Sequence, residues 1–359
     1  MRAGRALGIV AACSALLAPA TAAVAASGGK PVVVAHVSDP RIDEASALVV
    51  SSTHPGVAWT VNDSGSGPDV YGISTRTGRT VAVLRMRDVD ARDMEAMASG
   101  VDGGGHAWLW VGDIGDNSAQ RSSVVLRAFR EPTSVRSQTL AVQSLRLRYP
   151  DGPADAETLV WTSDRRLLVV TKALLTARVY EVPPVAVAAT LAGHPPSGAV
   201  LVRSLGTVQQ TLATDGAPLP DGRVIVRGYE SATVYGWSQG RLKSVGALPL
   251  PQQRQGESIA VERDGRSVLV GSEGVDQPLY RLPLAGVEPL ESLDDPSTPA
   301  PTSSAAATAR HPSSLADDSP LPRGLGYAAA AVALVLLAAV AWLAGGRFRG
   351  GRPRSRRTR

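Results

Sequence analysis

Four glutamates of this 359-residue chain recur in one local setting. Glu44-Ala45-Ser46-Ala47-Leu48, Glu95-Ala96-Met97-Ala98, Glu157-Thr158-Leu159-Val160 and Glu257-Ser258-Ile259-Ala260 each place an acid before a small residue and then apolar ones. Acids gathered by such a pattern repel one another and lose hydration, so something must compensate them. One compensation is a hard cation, Ca²⁺ or Mg²⁺, which takes its ligands from carboxylate, amide and water oxygens. Zinc fits less well, because the motif contains neither histidine nor cysteine. The other compensation is hydrogen bonding, with the glutamates accepting backbone N–H groups of a neighbouring unit or ordering water. Both readings stay open on the sequence.

The apolar run after each acid is followed by a second run that ends in polar residues. These are Asn62 and Asp63, Asp113, Lys172, Arg227, and Ser272 with Glu273. The string Gly112-Asp113-Ile114-Gly115-Asp116-Asn117 adds Asp116 and Asn117, with Arg121 just beyond. Lys172 and Arg227 are cations in an otherwise acidic set. They suit an anionic ligand such as a phosphate or carboxylate, or they pair with the glutamates. As catalytic candidates, Glu157 would be a base, and Lys172 and Arg227 would hold the anion. A metal would polarise the substrate oxygen and activate water. Other chemistries lack their tools: there is no His-Glu-x-x-His and no phosphate-binding loop. Asp88, Asp90 and Asp93 lack the glycine and terminal glutamate of an EF-hand loop, and read as a solvated turn.

The elements that must position these residues are strands. Short alternating or β-branched runs separated by Gly, Pro, Asp and Asn turns signal an all-β domain over residues 30–290. The one helical stretch is 184–192. A fifth copy of the motif appears when Asp264-Gly265-Arg266 is aligned with Asp221-Gly222-Arg223, placing Thr214 at the glutamate position with Asp215 beside it. Glu44, Glu95, Glu157, Thr214 and Glu257 are then 51, 62, 57 and 43 residues apart. That spacing is the length of a four-stranded propeller blade. The expected fold is a single β-propeller of about five blades, or six if the long second interval hides strands. In the first four copies a fourth strand closes the unit, at 80–86, 143–149, 199–205 and 242–248. The fifth lacks one, and the strand-like run 31–37 is left over, so it should complete the last blade and close the ring. First-strand starts and second-strand ends then share one face. Metal candidates there are Glu44, Glu95, Glu157 and Glu257. The surrounding ligand mouth is Asn62, Asp63, Asp113, Asp116, Asn117, Lys172, Asp215, Arg227 and Glu273.

The termini set the expected location. Residues 1–26 run basic, apolar, then small, the order of a secretory signal peptide. A lipoprotein reading ending at Cys13 is the alternative. Residues 291–323, rich in Pro, Ser, Thr and Ala, read as a disordered stalk. Residues 325–344 are uncharged and long enough to span a bilayer, and the Arg-rich 345–359 marks the cytoplasmic side. The expectation is a single-pass membrane protein with its large domain outside. Cys13 is the only cysteine, so a mature chain has no disulfide. The net charge of +5 comes largely from the tail and does not point to nucleic acid. Abundant Ala, Gly, Val and Arg with scarce Lys suggests a high-GC genome.

Trp59-Thr60-Val61-Asn62-Asp63-Ser64-Gly65, Gly112-Asp113-Ile114-Gly115-Asp116-Asn117, Asp155-Ala156-Glu157-Thr158-Leu159 and Gln255-Gly256-Glu257-Ser258 resemble a family of secreted actinobacterial propellers. Its members are described as WD-repeat-like or esterase-like phytase propellers. More distantly the chain is similar to regucalcin-type and calcium-activated nucleotidase propellers, whose acidic channel residues hold calcium. That likeness implicates Glu44, Glu95, Glu157 and Glu257, with Asp63 and Glu273 as supplements, and it breaks at Thr214. The leading expectation is a cell-surface binding or sensing module for a small anionic ligand or an envelope protein. A calcium-dependent phosphoesterase or lactonase is the alternative, and a structural role in envelope assembly is the third.

Overall fold

A computed structural model describes residues 29–63 and 65–284. The expected leader, stalk, anchor helix and tail lie outside the described residues. Among the described residues no helix is long and apolar enough to cross a membrane.

The described residues open with β1 (Val32–Val37), which belongs to the last blade. Then β2 (Ala45–Val50), β3 (Val57–Asn62), β4 (Asp69–Ser74) and β5 (Thr80–Met86) pair in order as the first blade. The second uses β6 (Met94–Val101), β7 (Ala107–Asp113), β8 (Val124–Arg130) and, after the short β9 (Gln138–Leu140), β10 (Gln143–Arg148). The third has β11 (Ala156–Trp161), β12 (Leu167–Thr171) and β13 (Ala177–Val182), then α1 (Pro184–Leu191), β14 (Val200–Leu201) and its last strand β15 (Arg203–Val208). The fourth is β16 (Ala213–Pro218), β17 (Val224–Gly228), β18 (Ala232–Ser238) and β19 (Arg241–Leu248). The fifth is β20 (Gly256–Val261), β21 (Ser267–Ser272) and β22 (Gln277–Pro283), completed by β1 lying antiparallel to β22.

The protein is therefore a five-bladed β-propeller, closed by its N-terminal strand. The six-blade alternative falls because the long second interval supplies no blade. Its extra strand, β9, turns back and pairs parallel with β5. The run expected as one strand over 199–205 is likewise two: β14 pairs parallel with β10 of the preceding blade, and β15 closes its own. Both additions cover outer edges that would otherwise be open templates.

Five apolar clusters fill the five blade interfaces. Val61, Leu84, Met97 and Leu109 lie between the first two blades, Trp110, Leu126, Leu159 and Trp161 between the next two. The other three interfaces are filled in the same way, ending with Ala35, Leu48, Ala260 and Leu279 where the ring closes. Trp110 and Trp161 meet edge to face at 6.0 Å, a favoured aromatic geometry. Removing residues 29–37 should lower the unfolding midpoint by more than about 10 °C, since each kcal/mol moves a domain of this size by about 2–4 °C. The exposed edge of β22 should also drive self-association. Scanning calorimetry and size-exclusion chromatography check both, and an unchanged monomer would refute this account of closure.

Candidate metal centre

Each innermost strand carries a bulge one residue after its start, between Ala45/Ala47, Met94/Ala96, Ala156/Thr158, Ala213/Asp215 and Gly256/Ser258. A bulge leaves one residue out of the ladder and re-aims it. The five residues so displaced are Ser46, Glu95, Glu157, Thr214 and Glu257, all buried. The ring thus holds three carboxylates and two hydroxyls. Glu44, expected in it, is exposed and lies two positions earlier, in register with Asp93, Asp155, Leu212 and Gln255. A third tier follows the second strands: Asp63, Ile114, Lys172, Tyr229 and Glu273.

These tiers bring Asp63, Asp93 and Glu95 together, with one carboxylate oxygen from each within 4.8 Å of the others. Asp93 and Asp155 are the functional candidates that sequence reading passed over. The spacing Asp93-Met94-Glu95, Asp155-Ala156-Glu157 and Gln255-Gly256-Glu257 was the available signal, and it aligns Glu44 with Asp93 rather than with Glu95. Asp113 positions the cluster without joining it: its carboxylate accepts the Arg92 and Asp93 N–H groups at 3.3 and 3.2 Å and pairs with Arg121 at 2.8 Å. Asp116 caps its own loop by accepting from Gln120 and Arg121, while its N–H donates to Asp155 at 2.8 Å. Asn117 is exposed beyond them. The loop comes this close because residue 115 is glycine: a Cβ there would sit 2.4 Å from Asp93 Oδ2 and 2.8 Å from Glu95 Cγ.

The ring acids are compensated unequally. Ser46 donates to Glu95 Oε2 at 2.6 Å. Lys172 Nζ lies 2.6 Å from Glu157 Oε1 and 5.0 Å from the centre of the Tyr229 ring. Gln255 donates to Glu257 Oε1 at 3.2 Å. The second oxygens of Glu157 and Glu257, Asp93 Oδ1 and Thr214 Oγ1 are buried without a partner. Burial pushes Glu95 far up, and the charges of Glu157 and Asp63 add to it. Burial and Asp63 raise Asp93 to about 6. Burial raises Glu273 to about 7, with Glu257, Asp63 and Glu44 contributing. In Glu157 burial outweighs the pull of Lys172 and lifts it to about 8. Lys172 is desolvated too, yet the charge of Glu157 keeps it protonated.

Two sequence candidates lie below the mouth. Arg227 is fully buried and donates to the Gly228, Ser258, Gly271 and Tyr229 carbonyls and to Gln253, binding the fourth blade to the fifth. It offers nothing to an anion at the mouth. Asp215 is fully buried in the channel, where its carboxylate accepts from Gly216 at 2.8 Å, Ile259 at 2.8 Å and Leu48 at 3.2 Å. It crosses from the fourth blade to the fifth and first. Asn62 donates to the Arg41 carbonyl at 2.6 Å and to Asp43, fixing the loop into β2.

No protein family and no curated protein matches the chain by sequence. Solved structures offer remote likenesses. A streptogramin B lyase structure matches with 12% identity over 72% of this chain and 98% of its own, at a TM-score of 0.36. A luciferin-regenerating enzyme gives 11% over 68% and 80%, at 0.38. In a mitotic checkpoint complex the match is 11% over 65% of this chain, which spans 60% of that one, at 0.34. Likenesses this remote say nothing about function, and the five-bladed architecture rests on the strand pairing itself.

Asp93, Glu273 and Glu157 bind protons in the folded state well above the ordinary carboxyl range. Between the unfolded and folded values the native state therefore carries more protons, and stability falls as pH rises. In chelator the unfolding midpoint should drop between about pH 5 and pH 8.5 as these groups ionise against one another. A flat or rising calorimetric profile would contradict the crowding described here.

Proposed function

We propose that the channel mouth binds a hard divalent cation, Ca²⁺ in preference to Mg²⁺, and that the protein is a binding module displaying that ion to an anionic ligand or envelope partner. The observation that carries this reading is the convergence of Asp63, Asp93 and Glu95 on one point, beside buried glutamate oxygens with no partner. Lys172 is paired with Glu157 and Arg227 is buried on carbonyls, so the mouth's remaining demand is for positive charge. Asp63, Asp93 and Glu95 would hold the ion, and oxygen ligands of this kind suit calcium. A bound ion supplies a Lewis-acidic contact for a phosphate or carboxylate oxygen. Its exported, membrane-anchored setting, and the kinship with actinobacterial propellers, belong to the same proposal and rest on the sequence. Both ends of the described chain lie on the face opposite the mouth, since β1 starts there and β22 ends there.

A second reading, a metal-dependent hydrolase of phosphoesters or lactones, draws on Glu157. Its raised proton affinity beside the acid cluster suits a general base near neutral pH.

Calcium should raise the unfolding midpoint by several degrees, because an ion at about 100 times its Kd contributes about 2.7 kcal/mol. Glu95→Gln should abolish that response while raising the stability of the metal-free protein, because folding no longer has to hold a buried carboxyl protonated. Absence of both the shift and bound metal by elemental analysis would end the proposal. Gly115→Ala, which pushes Asp93 and Glu95 apart, should weaken calcium binding about tenfold or more by isothermal titration, the equivalent of about 1.4 kcal/mol. Loss of phosphoester or lactone turnover in Glu157→Gln, with calcium binding retained, would favour the hydrolase.

A further inference from the structure

The channel has a second opening, and its chemistry is the reverse of the first. Where the innermost strands end, opposite the acid mouth, a cavity of about 370 Å³ opens on the axis. That volume is in the range of small-molecule sites. Its wall is mainly apolar and comes from all five blades, with Leu48, Met97, Leu159, Trp161, Ala217 and Ala260 among its residues. Asp215 separates it from the acid mouth, spanning the channel next to Gly216 and Leu48 of the cavity wall.

Two arginines, Arg165 and Arg263, stand exposed among its lining residues. Neither guanidinium has a hydrogen bond or ion pair among the described residues. The acids of the surrounding turns are already engaged. Asp164 takes the Thr162 hydroxyl, Asp221 pairs with Arg223 at 2.7 Å, Glu262 with Arg281 at 2.8 Å, and Asp264 accepts the Arg266 N–H at 2.9 Å. Arg165 and Arg263 are thus left without an ion-pair partner among the described residues, and their guanidiniums are open to an anionic group.

Arg165 also departs from the repeat. In four of the turns that join first to second strands, an N–H three residues on closes back to the same carbonyl. Gly105, Gly222 and Gly265 occupy that place with φ of 80, 88 and 65°, as expected where the backbone is left-handed. The third blade puts Arg165 there instead, at φ 64°. A long charged side chain held in a conformation that favours glycine points to a role outside the turn itself.

We infer that this end of the channel is a separate binding site for a small, mostly apolar molecule bearing one anionic group, its body in the apolar cavity and its charge on Arg165 and Arg263. The site is independent of the cation proposed for the mouth.

The test uses the full chain in detergent, with 1-anilinonaphthalene-8-sulfonate as the fluorescent probe and decanoate and decanol as competitors. One saturable site is expected, unaffected by calcium, chelator or Glu95→Gln. Arg165→Gly restores the glycine that three other blades carry at this place, so the protein should unfold at the same or a higher temperature. Its affinity should nonetheless fall about tenfold, the loss of one charge-assisted contact. Arg263→Gln should weaken binding similarly, and Ala217→Phe, which fills the cavity, should abolish it. Decanoate should displace the probe at lower concentration than decanol. Non-saturable binding, or full affinity in both Arg165→Gly and Ala217→Phe, would overturn the site. Equal displacement by decanol would overturn its anionic preference.

Discussion

Five strands must converge on one axis, and the space there admits very few charges. Each innermost strand bulges at its start, which turns one side chain toward the channel and frees N–H groups from the ladder. Three of the five side chains so placed are glutamates. A carboxylate withdrawn from water costs several kcal/mol unless hydrogen bonds or opposite charge restore what hydration supplied. The mouth meets this with a different partner at nearly every blade: the Ser46 hydroxyl, the Lys172 ammonium and the Gln255 amide. Between the first and second blades Asp63 and Asp93 crowd two further acids against Glu95, and the nearest cation, Arg121, is paired with Asp113. The sites of ordinary compensation and the candidate ion site are thus consequences of one constraint.

Asp215 gives the channel its two-sided character. It accepts N–H groups from three different blades, so a single buried carboxylate ties strands that are not neighbours in the ring. Arg227, also buried, joins the fourth and fifth blades through their carbonyls. Together they fill the waist of the propeller with satisfied polar groups. The acid mouth and the apolar cavity become separate environments, one seeking positive charge and the other lined with hydrocarbon and edged with arginine.

Ring closure makes this arrangement rigid. The same blade interfaces that bury Trp59, Trp110 and Tyr180 also fix the distances between the bulged residues. β9 and β14 extend two blades backward in parallel, protecting outer edges that antiparallel meandering alone would leave open.

Much of this was legible in the residues themselves. Turn residues at blade-length intervals, the unpaired run at the start and the missing strand at the end announce five blades and their closure. The acids Glu95, Glu157 and Glu257 announce a charged axis. Local pattern could not settle the register of the first blade, because Glu44-Ala45-Ser46 matches both the glutamate motif and the Asp93-Met94-Glu95 spacing. Only the bulge against β3 puts Ser46, not Glu44, in the ring. Nor could it separate Lys172 from Arg227, two cations at the ends of second strands. Burial distinguishes them, and burial is decided by which blades press together. Asp93 looked like part of a solvated turn until the loop around Gly115 closed over it. Strand identity follows from periodicity within a few residues, so the chain determined the blades. The neighbours of each charge come from residues far apart in sequence, so the tertiary structure alone decided which charges meet and which are spent.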